Sequence, residues 1–472
     1  MNKINKILLV VFLLLGLFLG FWHLENTDFT ADEGHYAYDA FQFYKGNPGM
    51  VPRYHPANHG HEHIGHPFLA PHLISFSYEI FKPSIYSSRL ISAISGFLTI
   101  ILIFLIGRKI FNEKTALIAM IIYSVFPLSV IYARTVYLDS LLTFLIAVFL
   151  LLYLQFNEKK NCFLAISLGV ILALIMLTKL DGPLMLIFLF LDLIIVKGIK
   201  KIKNEMSFYF LFLVSLIIVF IIGVSPKAYL LGIIEPSDRN FLNNNIFFNL
   251  KIIFNTLQTQ NFLEHISLIY LFLFFWGIYD FIKRKTYVKY KNSIYLILLM
   301  IAWLPLVWLH MTGRSGLYGL LPLIFIAIFF IAYRISLFKK RYRQAIIGLL
   351  VLFFLILSVK QAFIKPSKIK PIDNQFFSYL KNLEIPWEKK IYLYERPRNY
   401  CFAEQELNFI IDPALLENVV KNESVYYVVS TDNTEEGRKL NKFLQKSNFK
   451  QKERIENQLR GFIIFEKIIK NE

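Results

Sequence analysis

The stretch "ILLVVFLLLGLFLGFW", residues 7–22, decides the class of the fold, because it is uncharged and long enough to enter a bilayer. A helix of roughly 17–25 apolar residues crosses a membrane. Lys3 and Lys6 give this stretch a basic start, as in a signal peptide. The residues that end it, "GLFLGFWHLEN", contain no small-residue cleavage pattern. We therefore expect a retained first transmembrane helix.

The rest of the chain repeats this apolar character. Of its 472 residues, 56% are hydrophobic and 18% charged, and the mean hydropathy is +0.50. The apolar residues form runs, and a helix in lipid satisfies its own backbone hydrogen bonds. The sequence predicts a polytopic α-helical membrane protein with about 11 transmembrane helices. The predicted spans are 7–22, 85–106, 115–131, 139–156, 162–178, 183–196, 208–225, 262–282, 293–309, 316–333 and 344–359.

Lys and Arg alternate between the two sides of these spans. With the N-terminus in the cytoplasm, the cytoplasmic loops are "MNKINK", "GRKIFNEK", "NEKK", "KGIKKIKNE", "KRKTYVKYKN" and "RISLFKKRYRQ". Each short loop on the other side holds one basic residue: Arg134, Lys179 or Arg314. An excess of Lys and Arg in short cytoplasmic loops orients a membrane protein. The net charge of +18 thus reflects orientation and contact with membrane lipid, and nucleic acid is a poor partner.

Three regions are expected outside the membrane on the far side: a first loop at about 23–84, a second at about 226–261, and the C-terminal region 360–472. We predict a transmembrane domain over 1–359 and a small extracytoplasmic α/β domain over 360–472. In the latter, "KKIYLYE", "SVYYVVS" and "GFIIFEKI" are typical of strands, and "TEEGRKLNKFLQKS" of a helix with Thr434 as N-cap. Cys162 and Cys401 are predicted near opposite sides, which excludes a disulfide framework.

The first external loop is rich in acids and histidines. It opens with "FTADEGHYAYDAF", residues 29–41, and holds seven of the ten histidines. Asp32 and Glu33 have two interpretations, the acids of an active site or the cap of an amphipathic helix "DEGHYAYDAFQFYK".

The stretch "YHPANHGHEHIGHPFLAPHL" concentrates imidazoles and a carboxylate, which are common ligands of zinc and similar metals. A divalent metal ion is therefore a candidate cofactor. The spacing fits no fixed zinc motif, so an acid–base site and a polar loop at the lipid headgroups stay open as alternatives. The candidate ligands, or residues around the metal, are Glu62, His66, His63 and His61.

The lone external cations also need a partner, because the distribution of charge disfavours them there. Arg and Lys bind phosphate well, and a lipid phosphate at the membrane surface is one such partner. We take Arg134, Lys179 and Arg314 as candidate phosphate ligands and group Asp139 with them. The alternative is local ion pairing, of Arg134 with Asp139 or of Lys179 with Asp181.

Five motifs carry a resemblance to a known class. They are "ADEGHYAYDAFQFYKGN", "GHPFLAPHL", "YARTVYLDSLLTFLIAVFL", "LTKLDGPLMLI" and, more weakly, "GRSGLYGLLPL". In this order the sequence resembles the GT-C class of membrane glycosyltransferases, and within it the protein O-mannosyltransferases and the bacterial aminoarabinose transferases. Phe68 stands where the family's His-Pro-Pro-Leu element has its second proline. The likeness covers residues 25–190 well and the remainder through architecture.

The resemblance implies a reaction. Such enzymes move a sugar from a polyprenyl-phosphate donor to a protein, lipid or glycan acceptor at the outer face of the cell membrane, with inversion at the anomeric carbon. The first acid of the family's Asp-Glu pair is taken as the catalytic base, which here is Asp32, with Glu33 as its neighbour. The alternative function is a transporter or flippase of lipid-linked sugar. It would use the same cations and would favour repeated halves and mid-membrane charges, neither of which the sequence shows.

Overall fold

In the computed structural model, the regular secondary structure between residues 3 and 364 is helical wherever the chain is described. The structure describes residues 2–27, 29, 31–46, 69–179, 181–198, 206–223, 268–309, 320–364, 390–393, 407–409, 425–430, 435–446, 449–456 and 461–467. The helices are α1 (Lys3–Phe21), α2 (Ala31–Tyr44), α3 (Leu69–Phe81), α4 (Ile85–Ile110), α5 (Glu113–Val125), α6 (Pro127–Ala133), α7 (Leu138–Glu158), α8 (Cys162–Thr178), α9 (Leu184–Leu191), α10 (Met206–Gly223), α11 (Leu268–Lys283), α12 (Thr286–Lys289), α13 (Ile294–Leu309), α14 (Leu321–Ser336) and α15 (Lys340–Val359).

Each predicted span overlaps one of these helices. Within the described ranges, α1, α4, α7 and α15 are long and apolar enough to cross a membrane, and the bent pair α5–α6 is a fifth candidate. The other helices that match predicted spans are shorter. The prediction of a polytopic helical membrane protein is confirmed, while the number of eleven spans stays a prediction.

Two predicted spans are interrupted. The span 115–131 bends by 60° between α5 and α6. Pro127 starts α6, and Phe126 before it is extended at φ −71°, ψ 131°, because proline disfavours the helical conformation of its predecessor. The span 183–196 is an α-helix only to Leu191 and continues as a π-helical turn, Asp192–Lys197.

The chain divides into two compact units. The first consists of Met1–Trp22, Ile64–Ile74 and Arg89–Phe363, and the second of His23–His63, Ser75–Ser88 and Ile364–Glu472. In the first unit, α5 and α14 are buried along nearly their whole length, so they form its centre.

Small residues let the helices of the first unit approach closely. A Cβ on Gly277 of α11 would lie 2.5 Å from the Phe330 carbonyl oxygen of α14, and one on Gly169 of α8 would lie 2.3 Å from the Phe212 carbonyl oxygen of α10. Glycine is thus required at both crossings, as is common between helices in membranes.

Polar contacts in the first unit join helix ends that the charge pattern assigns to the cytoplasm. Asn5 Nδ2 donates to Glu113 Oε1 at 3.1 Å. Asn157 Nδ2 donates to the Tyr295 hydroxyl at 3.1 Å, and Asn112 Nδ2 to the Tyr290 hydroxyl at 3.5 Å. These helix ends therefore meet as the predicted alternation requires. Which side faces the cytoplasm stays a prediction.

The described part of the C-terminal region contains a five-stranded sheet and one helix. The strands are β1 (Lys390–Leu393), β2 (Leu407–Phe409), β3 (Val425–Ser430), β4 (Phe449–Glu456) and β5 (Gly461–Lys467), in the order β2-β1-β3-β5-β4. β1 pairs parallel with β2 and β3, and β5 pairs antiparallel with β3 and β4. Helix α16 (Glu435–Lys446) places Leu440 and Leu444 against the sheet. The strands and the helix predicted here are present; Thr434 lies outside the described residues.

Candidate active site

The acid pair of the first external loop lies at the start of α2. Because this helix begins at Ala31, Asp32 and Glu33 occupy its first turn. The Glu33 side chain is completely buried, and Asp39 is only 6% exposed. A buried carboxylate is costly unless other groups stabilise it, so it is rarely kept for helix capping alone. The burial of Glu33 therefore favours the active-site interpretation over a solvated cap.

Tyr78 of α3 fixes the position of α2 within the second unit. Its hydroxyl donates to the Ala37 carbonyl oxygen at 3.4 Å and shares a 2.7 Å hydrogen bond with Ser88 Oγ. Its ring meets Tyr44 edge to face, with centroids 6.1 Å apart. The middle and the end of α2 are thus held by one buried tyrosine. Helix α3 was not predicted, since the sequence interpretation left residues 69–81 inside the long loop.

Arg134 caps the end of α1 within the first unit. Its Nη1 donates to the carbonyl oxygens of Leu19 at 3.0 Å and Trp22 at 2.6 Å. Its guanidinium lies 4.3 Å from the centre of the Phe363 ring. Burial, and then the charge of Arg89, lower the pKa of Arg134 to about 10. The residue therefore carries its charge at neutral pH.

Lys179 and Asp139 form an ion pair with Asp181. Lys179 Nζ lies 3.0 Å from Asp139 Oδ1 and 3.0 Å from Asp181 Oδ2. Asp139 is 1% exposed and Lys179 is 8% exposed. The predicted Lys179–Asp181 pair is present. The alternative pairing of Asp139 with Arg134 is wrong, because the next loop brings Lys179 to Asp139. Two carboxylates therefore balance the Lys179 charge.

Several predicted site residues cannot be placed. Arg314 and the metal candidates Glu62, His61, His63 and His66 lie outside the described residues. In the part of the chain that the structure describes, no group of three or more His, Cys, Asp or Glu could hold a metal ion. The side chain of Asp32 also lies outside what is described, although its backbone is part of α2.

Arg89 is a candidate that the sequence interpretation missed. It lies in α4, is 3% exposed, and is close enough to Arg134 for its charge to act on that residue. An arginine inside an apolar span is by default a functional candidate, and that signal was present in "YSSRLISAISG". Both guanidiniums are buried, so both are candidates for binding an anion.

The architecture matches a solved transferase along the full length of both chains. The structure of ArnT from Cupriavidus metallidurans in the apo state superposes with a TM-score of 0.68, covering 96% of this chain and 97% of that one at 13% identity. ArnT is an aminoarabinose transferase of the GT-C class.

The chain has the GT-C fold.

Other solved structures agree with the GT-C fold. ArnT bound to undecaprenyl phosphate gives a TM-score of 0.65 at 14% identity, over 96% of this chain and 97% of that one. The apo oligosaccharyltransferase of Archaeoglobus fulgidus gives 0.57 at 15% identity, over 90% of this chain and 69% of that one.

The sequence comparisons point to the same class. The family model described as dolichyl-phosphate-mannose-protein mannosyltransferase matches residues 65–223. The match contains Arg89, Arg134 and Lys179 and begins after Asp32. An uncharacterised protein of Aquifex aeolicus (strain VF5) is 27% identical over 220 residues, which are 46% of this chain and 42% of that protein. The match thus spans less than half of either chain. The predicted resemblance to the GT-C class is confirmed.

Proposed function

We propose that the protein is an inverting glycosyltransferase, which moves a sugar from a polyprenyl-phosphate donor to a protein, lipid or glycan acceptor at the extracytoplasmic face of the membrane. The observation that supports this proposal most is the acid pair on α2, in which Glu33 is fully buried. The fold of the chain also matches that of ArnT over 96% of its length. The family model and the ArnT complex with undecaprenyl phosphate support a lipid-phosphate donor.

Asp32 acts as the general base. The acceptor hydroxyl or amine attacks the anomeric carbon and loses its proton to the Asp32 carboxylate, while the bond between that carbon and the phosphate oxygen breaks. A positioned carboxylate supplies about 10²–10⁴-fold in rate for such a proton transfer. Glu33, its buried neighbour in the chain, is the second acid of the proposed site.

Arg134, with Arg89 beside it, stabilises the departing lipid phosphate. Negative charge grows on this group as the sugar leaves, and fixed cations aimed at it are the main way that proteins lower such a barrier. The buried guanidiniums of Arg89 and Arg134 are weakly hydrated and therefore lose little when they bind an anion. Lys179 and Arg314 are the further candidates.

A divalent metal ion bound by Glu62, His61, His63 or His66 would neutralise charge on the same phosphate when present. This part of the proposal rests on ligand chemistry alone. Loss of transfer on adding EDTA, with recovery on adding Zn²⁺ or Mn²⁺, would support it.

The test of the base is transfer by Asp32→Asn and Glu33→Gln in lipid nanodiscs, with radiolabelled polyprenyl-phosphate sugars and membrane extract as acceptor. We expect Asp32→Asn to bind donor within a few-fold of wild type and to lose about 10²–10⁴-fold in transfer rate. Glu25→Gln, an exposed acid of the same predicted loop, is the matched control and should keep full activity. Full transfer by Asp32→Asn would leave Asp32 a helix cap and move the search to Glu33 or Glu62.

A further inference from the structure

Two basic stretches follow α11 and α14. The first, "KRKTYVKYK" at 283–291, surrounds α12, and the second, "KKRYR" at 339–343, starts α15. Neither contains an acid. We call their cationic residues the basic surface: Lys283, Arg284, Lys285, Lys289, Lys291, Lys339, Lys340, Arg341 and Arg343.

The structure brings both stretches to one end of the first unit. Arg334 of α14 reaches Asp280 of α11, with Nε 3.0 Å from Oδ2, and its guanidinium lies over the rings of Trp276 at 3.9 Å and Phe338 at 4.4 Å. The Thr286 and Tyr333 hydroxyls share a 2.7 Å hydrogen bond. Helices α11 and α14 therefore end side by side, and the basic stretches that follow them are neighbours.

Buried anchors hold the first stretch down while its cations stay exposed. Thr286 is 2% exposed, and the Tyr290 ring packs on Phe111 with centroids 5.5 Å apart. The chain turns at Lys285, whose backbone is in the left-handed region at φ 47°. After this turn the chain runs back over the ends of α11 and α14. The cations of both stretches are exposed apart from Arg343, which is half-buried. The surface is thus a fixed array of charge.

The acid that immediately precedes the first stretch is already paired within the bundle. This acid, Asp280, pairs with Arg334 at 3.0 Å and with Arg284 at 3.8 Å. Lys340, Arg341 and Arg343 also occupy the first turn of α15, where the helix dipole disfavours cations. A partner with negative charge would relieve both the mutual repulsion and this dipole term.

Apolar side chains among the cations decide which anion fits. Tyr287 is 39% exposed, Val288 61% and Tyr342 62%. Tyrosines beside Lys and Arg at the ends of membrane helices are typical of the headgroup layer, and α15, which carries the second stretch, is a candidate membrane span. A soluble polyanion has no apolar part to contact these groups, whereas a phospholipid supplies both a phosphate and an acyl chain.

We propose that the basic surface binds anionic phospholipid headgroups and retains them through purification. The proposal is independent of the transferase activity, since no residue of the basic surface is a proposed site residue. Each cation close to an anionic membrane surface changes the binding constant about fivefold, so removal of two should weaken binding about 25-fold.

The test uses the full chain in a neutral detergent and follows thermal unfolding while dioleoyl phosphatidylglycerol or dioleoyl phosphatidylcholine is added. A lipid that binds only the folded protein raises Tm. We expect phosphatidylglycerol to raise Tm more than phosphatidylcholine, and 1 M NaCl to remove the difference, because it shortens the Debye length to about 3 Å. Native mass spectrometry of the wild type should show retained phosphatidylglycerol.

The matched variants are Lys291→Gln/Lys340→Gln on the basic surface and Lys159→Gln/Lys160→Gln on the loop between α7 and α8. Both remove two cations from the same predicted membrane side. The first pair should shift the half-effective phosphatidylglycerol concentration about 25-fold, and the second should not shift it. Equal Tm gains from both lipids, equal losses in both variants, or the same gain from glycerol 3-phosphate alone would overturn the proposal.

Discussion

Arg134 holds the C-terminal end of α1. Its Nη1 donates to two carbonyl oxygens there, those of Leu19 and Trp22. A basic group at a helix C-terminus interacts favourably with the helix dipole. Arg134 therefore orders the point where the chain leaves α1 for the acid-bearing loop, in addition to any contact with phosphate.

Arg134→Gln should lower the free energy of unfolding by about 1.5–3 kcal/mol, the usual range for hydrogen bonds to a charged group. Thermal unfolding in zwitterionic nanodiscs measures the effect. Arg108→Gln, at an exposed position near the end of α4, is the control and should stay within about 0.5 kcal/mol of wild type. Equal stability of both variants would mean that the two carbonyl contacts contribute nothing.

Lys179 allows its structural and phosphate-binding roles to be separated. Lys179→Met leaves the buried Asp139 without its ammonium partner and should cost about 3–5 kcal/mol in unfolding free energy. The double variant Asp139→Asn/Lys179→Met removes both charges and should recover most of that loss. Because two carboxylates balance Lys179 in the folded protein, we expect the double variant to bind donor within a few-fold of wild type. A stable double variant that loses donor binding more than tenfold would make Lys179 a phosphate ligand.

The sequence was sufficient to find the isolated charges and the local partner of Lys179, Asp181, and insufficient to find its distant partner, Asp139. Asp139 and Lys179 are separated by two predicted spans, and their 3.0 Å contact follows from the packing of α7 and α8. Arg89 was missed for a different reason. It lies inside a predicted span, where the cost of a charge within lipid, and not an isolated position on a loop, marks it.

At the scale of the helix, glycines mark crossings that an alanine would disturb. A Cβ on Gly277 would lie 2.5 Å from a backbone oxygen of α14, whereas nothing lies within 4 Å of one on Gly348 of α15. Gly277→Ala should therefore cost about 1–3 kcal/mol through overpacking. Gly348→Ala should stabilise by up to about 1 kcal/mol through helix propensity. Thermal unfolding of the pair distinguishes them, and equal effects would contradict the close crossing.

The lengths of the apolar segments predicted the helices but could not predict where those helices are interrupted. Pro127 indicated a possible bend between α5 and α6. A proline within a span can kink a helix, break it or leave it intact, and the packing of neighbouring helices decides among these outcomes. Helix α3 was missed because Pro71 and His72 near its start resemble loop residues. Its amphipathic packing becomes evident only when Tyr78 contacts α2.

At the scale of the molecule, composition and the order of the motifs predicted the fold class, and the match to ArnT over 96% of the chain confirms it. A long apolar helix has few alternatives in a bilayer, which is why this level was accessible. The chemistry was less accessible, because no motif in the sequence specifies a sugar or an acceptor. Sugar and acceptor therefore have to be found by assay.

Sugar transfer by the purified protein is the most direct test of the central proposal. Wild type reconstituted in sealed liposomes would receive a labelled polyprenyl-phosphate sugar and membrane extract, and free polyprenyl phosphate and labelled product would be measured together. The proposal predicts that the two appear in equal amounts and that the product has the opposite anomeric configuration to the donor. Donor that crosses the membrane intact, with no polyprenyl phosphate released for any sugar or acceptor offered, would contradict it and identify a transporter.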